Sequence, residues 1–392
     1  MKKNVKIFIG FSEIANFINS YKKGFEALGY TTFTVSNSRN KYYPNAKYDI
    51  VLSELKGKNL FNIGILGRIW RSLHARVSCT LIFFRALFSC QVFYYNTGGN
   101  ILPFRLDYKL IRLFKKKLVI IFLGSEIRHW YLYKKEIEKL GFDEMFDSCI
   151  EAYKNQKFSN YFDKLERVKS AEAYSNLILS QPGYGQLQTK PYMRVTVGLY
   201  LPDYKFVISG RSRPLIVHAP TARGIKGTEY IIQALHRLKL EGYEFDFKLI
   251  ENMANHELIQ LLVESDIVID ELNSDTIGVL STEAMATGNV VLTGYLSDFA
   301  KVPMPCPVIN TNKFNIYENL KKVFNDVEYR IQLASQGRSY VELHHNIKKI
   351  AIKELKYLFN SLSDTDYDFI PKSNYINSIP SEIINEERMK NK

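Results

Sequence analysis

The chain has 392 residues, 46% of them hydrophobic, enough to bury two ordinary cores and so to build two domains. Its four cysteines (Cys79, Cys90, Cys149, Cys306) and seven histidines show no paired metal-ligand spacing and no helical HExxH, which predicts neither a structural metal nor a disulfide framework. A net charge of +13 calls for an anionic partner; without a zinc finger, an aromatic RNP pattern or a compact arginine-rich arm, nucleic acid ranks behind anionic lipid and nucleotide phosphates.

In chain order, the opening MKKNVKIFIG has three lysines but only a short apolar run, IFIG, too short for the core of a secretory signal, so a cytoplasmic location is expected. Short apolar runs then alternate with helical periodicity. VKIFIG (5–10), TTFTV (31–35), YDIVLS (48–53), QVFYYN (91–96), KLVIIFLG (117–124) and NLILS (176–180) read as strands, and 13–28 and 63–88 as helices. This is the pattern of a parallel sheet covered on both faces.

No stretch reaches the roughly 18 uncharged apolar residues of a spanning helix. The helix at 63–88 places Leu66, Ile69, Trp70, Leu73, Val77, Leu81, Phe84, Leu87 and Phe88 on one face and Arg68, Arg71, Arg76 and Arg85 off it. The plain expectation is that this stripe packs on a sheet, leaving Ile82 and Phe83 off the stripe and open to a bilayer.

A proline-, glycine- and arginine-bearing stretch at 197–214 reads as a linker. Beyond it LIVHA, FDFKLI, DIVID and NVVLT read as strands, with helices at about 228–240, 255–264, 279–287 and 314–325. The expected division is 1–200, 201–364 and a polar tail at 365–392, with two doubly wound α/β domains and a ligand cleft between them.

HAPTARGIKGTEYIIQAL (218–235) runs from a strand through a loop into a helix. Such a junction presents unpaired backbone N–H groups, and Gly227 allows close approach to them. Arg223 offers forked hydrogen bonds, and Lys226 adds a point charge beside the helix that starts near Thr228. The order of a Walker loop is absent, so the site fits phosphates without being a P-loop.

The stretch SDIVIDELNSDTIGVLSTEAMATGNVVLTG (265–294) resembles the nucleotide-sugar site of the retaining glycosyltransferases of family 4, which have the two-domain GT-B fold. Asp275 and Glu283 stand where that family has two glutamates with seven residues between them, and EAMATG follows where it has EAMA-x-G. HAPTARGIKGT is similar to the phosphate loop of a bacterial surface-polysaccharide branch, LGSEIRH (123–129) to its HGSDxR segment, and GRSYVELHHN (337–346) to its GRxYVExxHD segment. The chain departs from the pattern at Leu123, Glu126, Asp275 and Asn289.

The resemblance implies a metal-independent, hexosyl-type transfer, with retention, from a nucleotide diphosphate sugar to a hydroxyl of a glycan acceptor. It implies no cofactor beyond that co-substrate. Arg223, Lys226 and the N–H groups after Gly278, on Val279 and Leu280, suit the departing diphosphate. Glu283 would bind the ribose hydroxyls, and Glu251 lies in the segment where relatives hold the base. The acceptor is expected on the first domain, where Gly10, Ser12, Asn96, Glu126 and Arg128 fall in turns along one sheet edge. Relatives that build capsule or O-antigen use lipid-linked acceptors, which places this chain peripherally at the inner face of the cell membrane, on anionic lipid. Two alternatives keep the fold: a non-catalytic accessory protein and a polyol-phosphate transferase.

Overall fold

The computed structural model describes residues 5–55, 64–154, 161–360, 368–369, 371 and 378–390. Side chains at 64–72, 143, 145, 147, 148, 152 and 390 lie outside that description. The chain forms two compact α/β units. One takes Met1–His129, Phe158–Val195 and Ala351–Lys392; the other takes Trp130–Lys157 and Thr196–Ile350.

In chain order the helices are α1 (Phe17–Ala27), α2 (Gly64–Ser89), α3 (Leu106–Leu113), α4 (Trp130–Lys139), α5 (Asp143–Lys154), α6 (Tyr161–Tyr174), α7 (Arg223–Lys226) and α8 (Thr228–Leu240). They continue with α9 (Asn255–Glu264), α10 (Val279–Thr287), α11 (Ser297–Ala300), α12 (Ile316–Asn325), α13 (Val327–His344), α14 (Ile347–Phe359) and α15 (Ser381–Lys390).

The first unit holds a parallel sheet of β1 (Lys6–Phe11), β2 (Thr31–Ser36), β3 (Ile50–Val51), β4 (Val92–Asn96), β5 (Lys117–Ile121), β6 (Leu177–Ser180) and β7 (Met193–Arg194), in the order β3-β2-β1-β4-β5-β6-β7. β1 is the strand at which the order reverses, with Phe8 paired in register to Phe33 of β2 and Phe93 of β4. The Phe8 and Phe93 rings stack at 5.5 Å, so the sheet centre is filled by aromatic side chains. A fully parallel sheet is buried on both faces, which is why its strands read as continuous apolar runs.

The second unit repeats the plan with β8 (Leu215–His218), β9 (Asp246–Leu249), β10 (Ile267–Ile269), β11 (Val290–Thr293) and β12 (Ile309–Asn310), ordered β12-β11-β10-β8-β9 and all parallel. Strand alternation sends Val217, Val268 and Val291 into the cluster beneath α10 and α13. Ile216, Ile267, Ile269 and Leu292 enter the opposite cluster with α8 and α12. The expected α/β class is observed in both units. The two-residue strands β7 and β12 are too short to leave a periodic signal.

The long helix α2 corrects the sequence reading. Its buried row is Ile82, Phe83, Ala86 and Leu87, with buried Cys90 just past its end, whereas Leu73, Val77, Leu81, Phe84 and Phe88 are exposed. Of the expected packing stripe only Leu87 is buried; Leu66, Ile69, Trp70, Arg68 and Arg71 lie outside the described side chains. The helix carries two apolar faces, and periodicity alone cannot rank them. The face that packs includes the small, fully buried side chain of Ala86.

The polar C-terminal stretch ends in α15, which is docked. Buried Glu387 accepts a hydrogen bond from the backbone N of Tyr161 at 2.9 Å and lies 3.1 Å from His129 Nε2.

Candidate active site

β8 ends at His218, and its side chain begins the site. The imidazole Nδ1 donates to the Ile269 carbonyl at 2.7 Å, which leaves Nε2 to accept from Thr228 Oγ1 at 2.9 Å. Burial pushes its pKa below the usual histidine value, consistent with this neutral form. The ring thus ties β8, the end of β10 and the first residue of α8 together.

Between them, Arg223–Lys226 form a single turn closed by Gly227, which has φ +73 and donates its N–H to the Gly224 carbonyl. A Cβ at Gly227 would stand 3.0 Å from Leu272, so the space its glycine leaves is occupied by Leu272. Left-handed backbone and close packing both require glycine here.

Lys226 is held from below. Its Nζ lies 2.6 Å from Asp270 Oδ1 and 3.3 Å from Glu271 Oε2, with its side chain 15% exposed. Burial pulls the lysine pKa down, but Asp270 and Glu271 outweigh it, and the net direction is up. Burial pushes Asp270 up, and Lys226 together with Ser281 reverses that, holding it below the usual aspartate value. Lys226 is therefore a fixed cation whose position two carboxylates determine. Arg223 is exposed and pairs with Glu229 at 2.7 Å and Glu251 at 3.6 Å, which joins two of the expected donor residues.

α10 starts on the same strand edge. Gly278 caps it, and the Asp270 carboxylate accepts from Ser281 N at 3.2 Å and Ser281 Oγ at 2.7 Å. A Cβ at Gly278 would come within 3.1 Å of Asp270 Oδ2. Asp270 thus links the lysine to the start of α10, so a cation and a helix N-terminus, joined through one carboxylate, stand at the ends of adjacent strands β8 and β10.

Glu283 is buried. It accepts from Tyr204 Oη at 3.1 Å and from Asn255 Nδ2 at 3.0 and 3.2 Å. Burial raises its pKa to about 7, partly offset by those bonds. Asp275 is also buried, and its carbonyl accepts from Leu296 N at 3.0 Å. Val279 and Leu280 lie half-buried in the first turn of α10.

On the first unit, Asn96 is fully buried and works inside the fold. Its Oδ1 accepts from Phe11 N at 2.8 Å and Ser12 N at 2.9 Å, while its amide donates to the Ser12 carbonyl. Asn96 therefore clamps the turn after β1. At Gly10 a Cβ would crowd Phe8 and the Val35 carbonyl, a matter of strand packing. After β5, the Glu126 carboxylate accepts from Leu123 N and Gly124 N and shapes the turn. Lys164 donates to the Ser125 and Arg128 carbonyls, each at 2.6 Å, and Arg167 to the Glu126 carbonyl at 2.6 Å. Arg128 lies over the Tyr184 ring, 4.6 Å from its centroid.

Sequence reasoning missed His218, Asp270, Ser281, Asn255 and Tyr204. Asp270 and Glu271 close an apolar strand, a position that reads equally as a solvated turn; Tyr204 and Asn255 are joined to Glu283 only by folding. Among the described residues no group of three or more His, Cys, Asp or Glu side chains is arranged to hold a metal ion.

No protein-family model and no curated protein matches the chain. Solved structures do. Sucrose-phosphate synthase from Thermosynechococcus elongatus superposes with a TM-score of 0.58 at 10% identity, covering 90% of this chain and 98% of that one. HepE of Anabaena, solved in complex with UDP-glucose, gives 0.53 at 14% identity, with coverages of 90% and 99%. A UDP-N-acetylglucosamine 2-epimerase gives 0.51 at 12% identity, with coverages of 91% and 96%. These likenesses establish the shared two-domain GT-B fold.

Proposed function

We propose that this chain is a retaining glycosyltransferase that moves a hexosyl unit from a nucleotide diphosphate sugar to a hydroxyl of a lipid-linked glycan acceptor, in surface polysaccharide synthesis at the inner face of the membrane. The observation that carries the reading is the convergence of Lys226 and the α10 N-terminus on Asp270, at the C-terminal ends of β8 and β10. Leaving-group departure is the electrostatically demanding step, and preorganised positive potential is what lowers its barrier. The sequence motifs around Glu283, and a neighbour of this fold that binds UDP-glucose, support the same donor class.

In this reading Lys226 and Arg223 meet the diphosphate, with the Val279 and Leu280 N–H groups beside them. Glu283 accepts from the ribose hydroxyls, and Glu251 borders the base. Gly10, Ser12, Glu126 and Arg128 border the acceptor, and Asn96 positions their edge.

A thermal-shift panel of uridine, guanosine and cytidine diphosphates and their sugars tests it. A ligand at a hundred times its Kd should stabilise the fold by about 2.7 kcal/mol. No stabilisation by any of them would sink the proposal. Product analysis with the stabilising donor separates transfer from epimerisation, the reaction of one fold neighbour.

A further inference from the structure

The first unit carries a surface that its sheet does not use. Along α2, Leu73, Val77, Leu81, Phe84 and Phe88 follow at steps of four, four, three and four residues and are 53%, 51%, 66%, 36% and 68% exposed. The row is about 22 Å long at 1.5 Å per residue. Phe88 meets Phe114 edge-on at 5.9 Å, which joins the row to the end of α3, where Leu113 is 72% exposed. Single exposed apolar residues are ordinary, but a contiguous row marks an interaction surface.

Charge identifies the partner. Residues 64–122 contain ten Lys and Arg and one acid, Asp107, so they carry +9 of the chain's net +13. Asp107 is buried, with its carboxylate accepting from Ile101 N at 2.8 Å. Arg76, Arg85, Lys109, Arg112 and Lys115 are exposed around the apolar row. A second copy seated on this face would oppose two such positive sets. No described helix is long and apolar enough to cross a membrane, so the face would lie on a bilayer.

We propose that this face seats on an anionic lipid bilayer, with Leu81, Phe84, Phe88, Leu113 and Phe114 entering the headgroup–acyl boundary and the surrounding cations meeting lipid phosphates. The proposal deepens the reading of a membrane-borne acceptor and rests on it for its purpose. It differs from attachment by charge alone in having a part that salt does not screen.

The test is sedimentation of the full chain with phosphatidylcholine vesicles, with and without about one-third phosphatidylglycerol, at low salt and at about 0.5 M salt. Wild type should bind the anionic vesicles and keep a measurable fraction bound at high salt. Leu81→Glu with Phe88→Glu should lower partitioning at least tenfold at both salts, while Tm and nucleotide diphosphate affinity stay unchanged. A Phe88→Trp variant should shift its emission to the blue on binding and be quenched by brominated lipid. Wild type that ignores anionic vesicles, or a double variant that sediments like wild type, overturns the proposal. So does a concentration-dependent dimer that the double variant dissolves. Should the double variant fail to fold, the Phe88→Trp emission decides alone. Nucleotide affinity keeps the two readings apart: its absence sinks the transferase reading without touching vesicle binding, and lost vesicle binding with intact affinity sinks this surface only.

Discussion

Lys226 Nζ sits 2.6 Å from Asp270 Oδ1, and Asp270 Oδ2 in turn accepts from Ser281 N and Oγ at the start of α10. A single buried carboxylate therefore aligns a cation with a helix dipole. Lys226→Ala should cut turnover by roughly a hundredfold or more, as for loss of preorganised charge at a leaving group. It should also destabilise the fold by about 3 kcal/mol, because Asp270 is left buried without its cation, held by Ser281 alone. Steady-state kinetics with the stabilising donor, beside a urea titration, reads both. Unchanged turnover would remove Lys226 from the mechanism.

Glu283 has three donated bonds from two residues, and Asn255 supplies two of them. Glu283→Ala should weaken nucleotide diphosphate binding by about 1 to 3 kcal/mol, the cost of leaving buried ribose hydroxyls unpaired. Asn255→Ala should weaken it by less, about 1 kcal/mol, by freeing the carboxylate to move. Calorimetric affinities equal to wild type in both variants would reduce the cluster to a structural support of α10.

Three buried glutamates, Glu13, Glu283 and Glu354, have pKa values raised from 4.5 to about 7, with burial as the largest cause in each. The folded state favours their protonated forms. Their contribution is therefore fully present below about pH 4.5 and is lost as pH rises to about 7, by up to about 3 kcal/mol per group. Glu354, which accepts from Tyr21 Oη at 2.7 Å, is far from the donor residues in sequence and is the cleanest to test. Glu354→Gln should flatten the fall in Tm between pH 4.5 and 7; an identical slope would contradict the assignment.

Gly288 closes α10 at φ +101, and a Cβ there would stand 2.2 Å from the Val207 carbonyl oxygen. Backbone cannot yield as a flexible side chain does. Gly288→Ala should cost at least about 2 kcal/mol, from left-handed strain and displacement of Val207 together. A chemical denaturation midpoint within error of wild type would show that the 206–208 segment moves freely.

Much of the fold was legible because parallel strands are buried on both faces and their helices are amphipathic. The expected 228–240, 255–264 and 279–287 helices coincide with α8, α9 and α10. The face of α2 was not legible, since Leu81 and Phe84 carry the same apolar signal as Ile82 and Phe83 and only the sheet chooses between them. In the site, Lys226 and Gly227 announced themselves by their place between a strand and a helix. Asp270 did not, because a carboxylate at a strand end reads equally as a solvated turn until its partners 44 and 11 residues away arrive. Asn96 shows the converse, a polar turn residue that suggests ligand contact and is instead the buried clamp of its own loop.

The division of the chain also dictates a timetable for its synthesis. The first unit needs Glu354 to cover Tyr21 and Glu387 to reach His129, whereas the second unit has its last strand by Asn310. At ribosomal speeds of 5–20 residues per second, Tyr21 waits about 20 to 70 s for a partner 333 residues downstream. The second unit's sheet can form during that interval, so the half of the protein made first is the half completed last. Throughout the wait the ring cluster of Tyr21, Phe25 and Tyr94 lacks its final cover, which leaves the nascent first unit open to aggregation until α14 is made.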